Sequence, residues 1–310
     1  MGKQSPLTPK QKKQTKHYIR QFFNMHYNAI GKSKHEVNED MIRGVVTFNH
    51  HLETTFRIMK TLNIRNIDNI NSRRANQWLK SRKDKVCKKT LQNEKKVLER
   101  ILAINKPGAK LKLPGGMKDR VWVNRAYQDK AILKVIERQH KRTQLSTKLC
   151  YLSGLRTKEL YTLRRLDEMT PSVQRAWRDD LFRGLQGEKY VVTGKGGLLR
   201  AVMIPTHLAK ELEGRRLDTP KEIKDRKVKI LTHYDVSGGK AFSNSFSKLS
   251  KKVLGYSYGA HGLRYSYAQS RMELNTPGLS YEENKHIVSQ ELGHFRPDIT
   301  DHYLTPELDK

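Results

Sequence analysis

Along nearly the whole of this 310-residue chain, apolar side chains recur at every third or fourth position. A chain patterned in that way hides its apolar surface by packing helices against one another. Thr8 followed by Pro9 reads as a helix cap with a first-turn proline. Tyr18, Ile19, Phe22, Phe23, Tyr27 and Ile30 then follow at helical spacing, and Gly31 can close the end. A second stripe runs from Met41 to Met59, a third helix starts at Ser72 with Ala75, Trp78 and Leu79, and a fourth starts at Thr90 with Leu91, Val97, Leu98, Ile101 and Leu102. Pro107-Gly108 and Pro114-Gly115-Gly116 punctuate a basic, apolar-poor stretch that no helix should cross. The pattern predicts a basic N-terminal helix over residues 1–31, a helical domain over 32–105, a linker over 106–119 and a second domain over 120–310.

The second domain changes texture once. Helical stripes at 126–139 and 145–152 end at Gly154. From Glu188 the chain reads as two β-strands, Tyr190-Val191-Val192 and 199–204, around the glycine-rich turn Thr193-Gly194-Lys195-Gly196-Gly197. Helices are expected again at 207–216, 241–254, 261–273 and 280–292, with a short one running into Tyr303. Residues 167–187, with Trp177, Leu181, Phe182 and Leu185, suggest a further helix. The fold class expected is mainly α with a small β-sheet.

Charge narrows the function. Lys and Arg number 62 against 31 Asp and Glu, a formal net charge of +31. Such an excess repels itself in a compact fold and is best explained by a polyanionic partner that releases counterions on binding. A membrane-surface protein would gather its basic residues on one amphipathic helix, whereas here they run along the entire chain. No run approaches eighteen apolar residues, and the first thirteen residues are polar and basic, so a membrane partner is not expected and a cytoplasmic location is. Cys87 and Cys150 lie too far apart for metal-type spacing and read as two reduced thiols. No carboxylate cluster is spaced for magnesium, and no metal or other cofactor is expected.

Three glycine-linked stretches hold the residues that can do chemistry: Ser-Gly-Leu-Arg-Thr-Lys-Glu-Leu at 153–160, His-Gly-Leu-Arg-Tyr-Ser-Tyr-Ala at 261–268, and Leu-Gly-His at 292–294 with Tyr303 nine residues further on. Each alone has a plain structural reading: an ion-paired arginine, a solvated helix face, a packed tyrosine. Their order shifts the balance. Arg156, a lysine in a hairpin turn, His261 with Arg264, His294 and then Tyr303, on a chain this basic, together ask for a phosphate.

The set resembles the tyrosine recombinases, the phage-type integrases that cut and rejoin DNA at specific sites. The matching signatures are Gly-Leu-Arg-x-x-Glu-Leu at 154–160, His-x-Leu-Arg at 261–264, Leu-Gly-His at 292–294 and the nucleophile position Tyr303. The resemblance covers the chain from about residue 125 onward. It implies an N-terminal helical core-binding (SAM-like) domain followed by a mixed α+β catalytic domain. It implies that Arg156 and Arg264 fork a phosphate and that Lys195 protonates the leaving 5′ oxygen. His261 and His294 would hydrogen-bond the phosphate, with His261 placed to help handle the tyrosine proton, and Tyr303 would attack to form a 3′-phosphotyrosyl intermediate. A tyrosine hydroxyl ionises near pH ~10, so it needs a base or a positive field to attack at neutral pH. Glu159, three residues after Arg156 on an expected helix, reads as the support that orients Arg156 rather than as a catalyst.

The implied partners are double-stranded DNA attachment sites, three further protomers in a homotetramer on paired sites, and a possible DNA-bending accessory protein. The implied setting is the nucleoid of a bacterium, with the gene carried by a phage or another mobile element. Arg82, Lys83, Lys85, Lys88 and Lys89 form the densest basic run and are the candidate DNA-backbone contacts. Two features depart from the family pattern: residues 167–187 make a longer connection than usual, and only seven residues follow Tyr303, so a long C-terminal helix shared between protomers is not expected. Two other readings stay open, a type IB topoisomerase and a DNA- or RNA-binding protein without catalysis.

Overall fold

In the computed structural model the chain divides into two compact units, residues 1–121 and 122–310. The structure describes residues 8–32, 34–119, 121–226, 228–274 and 278–305. The first seven residues of the expected N-terminal helix, and residues 306–310, lie outside them.

The first unit holds four α-helices: α1 (Pro9–Tyr27), α2 (Val45–Thr61), α3 (Ser72–Arg82) and α4 (Lys88–Asn105). Thr8 caps α1 with a reciprocal box, its hydroxyl accepting from the Gln11 N–H while the Gln11 side chain accepts from the Thr8 N–H. Helix α1 buries Ile19, Phe22, Phe23 and Tyr27 in the same core as Phe48, Ile58, Trp78 and Leu98, so it belongs to the body of this unit. Leu111, within the proline- and glycine-rich stretch, is buried in that core too. Helix α2 starts four residues later than the stripe from Met41 suggests. Ile42 is instead held in extended backbone, its N–H donating to the Tyr27 carbonyl at 2.7 Å and its carbonyl accepting from the Ala29 N–H at 3.1 Å.

Two buried ionisable groups of this unit are paired, whereas the buried Thr55 hydroxyl has no hydrogen-bond partner among the described residues. Glu94 is fully buried and accepts from Trp78 Nε1 at 2.9 Å and Arg82 Nη2 at 3.1 Å. His51, also buried, has Nδ1 2.8 Å from the Thr47 carbonyl and Nε2 2.8 Å from Arg100 Nη1. Nδ1 must therefore carry the proton while Nε2 accepts, which is the neutral ring. Burial lowers its pKa to about 4, and the Arg100 charge adds to the fall against the opposing Thr47 hydrogen bond. The unfolded ring ionises near ~6.5, so stability from this site is complete above that value and is lost as pH falls toward about 4. The loss reaches up to ~3 kcal/mol at about 1.4 kcal/mol per pH unit. Urea unfolding of the full chain at pH 7.5, 5.5 and 4.5 is expected to show His51→Gln less stable than wild type at pH 7.5, with the gap closing at pH 4.5.

The second unit is mixed. Helices α5 (Asp129–Glu137) and α6 (Lys141–Leu152) lead to a short 3-10 turn (Glu159–Thr162). An antiparallel sheet follows, ordered β1 (Arg164–Arg165), β2 (Glu188–Thr193), β3 (Leu199–Ile204), with Val191 opposite Arg164 on one side and Ala201 on the other. After α7 (Thr206–Glu213) comes a second antiparallel pair, β4 (Arg216–Asp225) and β5 (Val228–Tyr234), then α8 (Gly239–Leu254), α9 (Gly262–Glu273), α10 (Tyr281–Glu291) and a 3-10 turn (Pro297–His302). The β2–β3 hairpin and the last helices lie where the sequence pattern puts them.

Three elements differ from expectation. Residues 167–187 form turns rather than a helix, and Phe182 adopts φ 66° between its anchored neighbours. The turn carrying Glu159 is a single 3-10 turn, too short to be the helix that the Arg156 spacing suggests. The β4–β5 hairpin has no counterpart in the sequence reading because β4 is exposed at most of its positions and shows no alternation of apolar and polar side chains. Helix α9 explains its own lack of a polar face: residues 262–268 are all buried, between a main core that includes Leu149, Phe242, Phe246 and Leu263 and a smaller cluster with Val288, Leu292 and Tyr303. Among the described residues, no helix is long and apolar enough to cross a membrane.

Candidate active site

Sandwiched between these two cores, Arg264 on α9 is fully buried, and its guanidinium donates to the carbonyls of Gly154 and Leu292. Those carbonyls join the three motif stretches. Gly154 turns the chain at φ 59°, where a Cβ would stand 2.6 Å from the Tyr267 ring, so only glycine lets the backbone come this close. Arg156 follows, with Nη1 2.7 Å from Glu159 Oε1 and Nη2 3.3 Å from the Leu292 carbonyl. The other Glu159 oxygen accepts from the Arg156 N–H at 2.8 Å and from Arg200 Nη2 at 2.7 Å. Burial would raise the Glu159 pKa, but Arg200, Arg156 and Arg264 outweigh it and hold the carboxyl at about 2. It is therefore ionised throughout the physiological range. Burial and the neighbouring Arg156 lower Arg264 to about 10, which leaves its charge intact at neutral pH.

Tyr303 sits at the end of the last 3-10 turn, nearly buried, with its hydroxyl 3.4 Å from Arg264 Nε. Its ring centroid lies 5.8 Å from that of His261 and 6.1 Å from that of His294. His294 Nε2 is 3.4 Å from Arg156 Nη2. Burial, reinforced by Arg264 and Arg156, lowers His294 to about 3. The protein packed around the His261 ring lowers it to about 4, with Arg264 and Arg125 adding to the fall, although one side of the residue faces solvent. Both imidazoles are neutral at pH 7 and each can accept a proton. The structure thus brings Arg156, Glu159, His261, Arg264, His294 and Tyr303 together from positions up to 147 residues apart.

No family model matches the sequence, and no curated protein matches it. Solved structures do. XerH site-specific recombinase bound to difH substrate in a pre-cleavage complex aligns with a TM-score of 0.56 at 15% identity, over 96% of this chain and 91% of that one. Its post-cleavage complex with palindromic difH gives 0.54 at 14% identity over the same shares. A lambda integrase dimer bound to a COC' core site gives 0.53 at 13% identity, over 95% of this chain and 79% of that one. The chain has the tyrosine recombinase fold. At these identities the likeness is one of architecture, and the chemistry rests on the residues themselves.

In this recombinase fold Lys195 lies on the exposed turn between β2 and β3, outside the buried cluster but next to it. A Cβ on the preceding Gly194 would stand 3.4 Å from Glu159 Oε1 and 3.9 Å from Arg156 Nη1. The basic run of the first unit is divided. Arg82 is committed to buried Glu94 and lies over the Trp78 ring, and Lys88 pairs with Asp119, whereas Lys83 is half-buried and Lys85 and Lys89 are exposed. Sequence reasoning missed Arg200, which has no motif around it yet is fully buried and clamps Glu159, the Gly154 carbonyl and the Glu291 carbonyl. It also missed Glu291, one residue before the Leu-Gly-His signature. That carboxylate binds Arg271 at 2.7 Å and the Tyr267 hydroxyl at 2.8 Å and anchors the end of α10. Its neighbours Ser289, Gln290 and Leu292 give no sign of burial, so on its own it reads as exposed. Among the described residues, no group of three His, Cys, Asp or Glu is placed to hold a metal ion.

Proposed function

We propose that this chain is a site-specific DNA recombinase that cleaves and rejoins double-stranded DNA through Tyr303. The observation that carries the reading is the gathering of Arg264, His261 and His294 around Tyr303, with Arg156 against His294, within a fold shared with recombinases solved on difH and core-site substrates. The Tyr303 oxygen attacks phosphorus and the bond to the 5′ oxygen breaks, leaving a 3′-phosphotyrosyl protein and a free 5′-hydroxyl. The tyrosine proton passes to His261, and the leaving oxygen takes one from Lys195 on its glycine-rich turn. The guanidinium charges of Arg156 and Arg264 stabilise the non-bridging oxygens as charge grows on them. The bond energy is kept in the phosphotyrosine, so a 5′-hydroxyl from another duplex reverses the step. Two duplexes require four cleavages and hence four protomers. Lys85 and Lys89 contribute backbone contacts.

The test uses nicked duplexes tiled from the DNA flanking the reading frame, with a chelator present. Expected is a denaturant-resistant protein–DNA adduct whose digestion leaves the nucleotide on the peptide containing Tyr303, beside a free 5′-hydroxyl. Linkage to another residue, or a 5′-phosphate product, would overturn the proposal. With two marked duplexes present, exchange of strands supports recombination, whereas resealing only to the original strand selects the topoisomerase reading.

A further inference from the structure

Strands β1 and β2 are antiparallel neighbours that a tight turn could join, yet the chain between them runs through residues 166–187. This excursion contributes no side chain to the Tyr303 cluster. It reaches the turn that carries Lys195 and the loop that carries His294. At one end Ser172 grips the first residue of β3: its N–H donates to the Leu199 carbonyl at 2.9 Å and its hydroxyl accepts from the Leu199 N–H at 3.0 Å. Leu199 follows Lys195 by four residues. At the other end the Trp177 ring packs on Phe295, the residue after His294, with centroids 4.8 Å apart. Gln290 Nε2 donates to the Ala176 carbonyl at 3.2 Å, while Gln290 Oε1 accepts from the Arg178 N–H at 2.9 Å. Trp177 ties the two ends together, because its Nε1 donates to the Ser172 carbonyl at 2.9 Å.

Both gripped loops turn on glycines in the left-handed region, Gly196 and Gly197 at φ 75° and 84° beside Lys195, and Gly293 at φ 71° before His294. Glycine makes such turns without strain, and each is closed by its own bonds, the Gly194 N–H to the Leu198 carbonyl and the His294 N–H to the Ser289 carbonyl, so what contacts from outside set is the placement of one turn against the other. We infer that residues 172–178 are a clasp that fixes the Lys195 turn and the His294 loop relative to each other, with Trp177 as its positioning residue. The inference deepens the recombinase reading, since it assigns a task to a segment that reading leaves idle.

Amide hydrogen exchange on the full chain tests the clasp without reference to activity. Trp177→Ala is expected to raise exchange about tenfold at both 195–199 and 293–296 while α5 and α6 keep their wild-type rates. Trp177→Phe keeps a ring against Phe295 and loses the bond to Ser172, so it should restore 293–296 and leave 195–199 fast. Ser172→Ala, a milder change that guards against misfolding of the first variant, should speed 195–199 alone. Unchanged exchange at both loops, or a rise spread equally through α5 and α6, overturns the clasp. Adduct formation by Trp177→Ala should slow about tenfold with duplex affinity held within about twofold. Absence of an adduct from wild type would count against the recombinase reading, and the exchange pattern would still decide the clasp.

Discussion

Tyr303→Phe is expected to bind duplex DNA within about twofold of wild type and to form no covalent adduct, a loss of at least ~10⁴-fold in cleavage. The substitution removes one oxygen and nothing else. The ring stays in its apolar cluster with Tyr265, Leu292 and Val288, and Arg264 keeps its bonds to the Gly154 and Leu292 carbonyls, so the fold should change by less than about 1 kcal/mol. Arg264 Nε loses a contact of 3.4 Å that is long for a hydrogen bond in any case. Gel analysis under denaturing conditions reads the adduct and fluorescence anisotropy reads binding. An adduct that persists in Tyr303→Phe places the nucleophile elsewhere.

Glu159→Gln should be the most damaging change that leaves every catalytic group in place. Its carboxylate is buried and meets Arg200 and Arg156, each at 2.7 Å, and Arg200 is itself fully buried. Removing the anion leaves those guanidinium groups uncompensated, which costs roughly 3–5 kcal/mol in buried pairs. The pH dependence supplies an independent signature. The folded carboxyl ionises at about 2, below its ordinary value of 4.5, so its stabilisation is complete above pH ~4.5 and is lost as pH falls toward about 2. Urea unfolding should show that acid-side slope in wild type and not in Glu159→Gln. Cleavage by the variant should fall by more than the fraction unfolded explains, because Arg156 loses the fork that aims it.

The candidate site's residues could be picked out because their signatures are local. Arg156 and Glu159 lie three apart, as do His261 and Arg264, and the hairpin around Lys195 is written in alternating strands and glycines. Helices α1, α3 and α6 were legible for the same reason, since each carries its apolar stripe or its cap within its own residues. Residues 167–187 misled because Trp177, Leu181, Phe182 and Leu185 do carry a helical spacing. What cancels it is a set of partners more than a hundred positions away: Gln290, which binds the Arg178 N–H, and Glu291, which accepts from the Phe182 N–H at 2.9 Å. The β4–β5 hairpin was hidden for a related reason: β4 is mostly exposed and is held by pairing to β5, which alone turns Ile230, Thr232 and Tyr234 inward.

By itself the sequence determined that the chain is mainly helical, where its glycine-turned hairpin falls, and which ordered set of arginines, histidines and tyrosine the fold brings together. These follow from spacing and side-chain chemistry within a few residues. Only the tertiary structure decided that Arg200 shares Glu159 with Arg156, that Glu291 anchors the His294 loop, and that an irregular excursion links that loop to the Lys195 turn. Such roles belong to pairs far apart in the chain. A buried arginine reads like any exposed one until the carboxylate or carbonyl that compensates it is brought within hydrogen-bond distance.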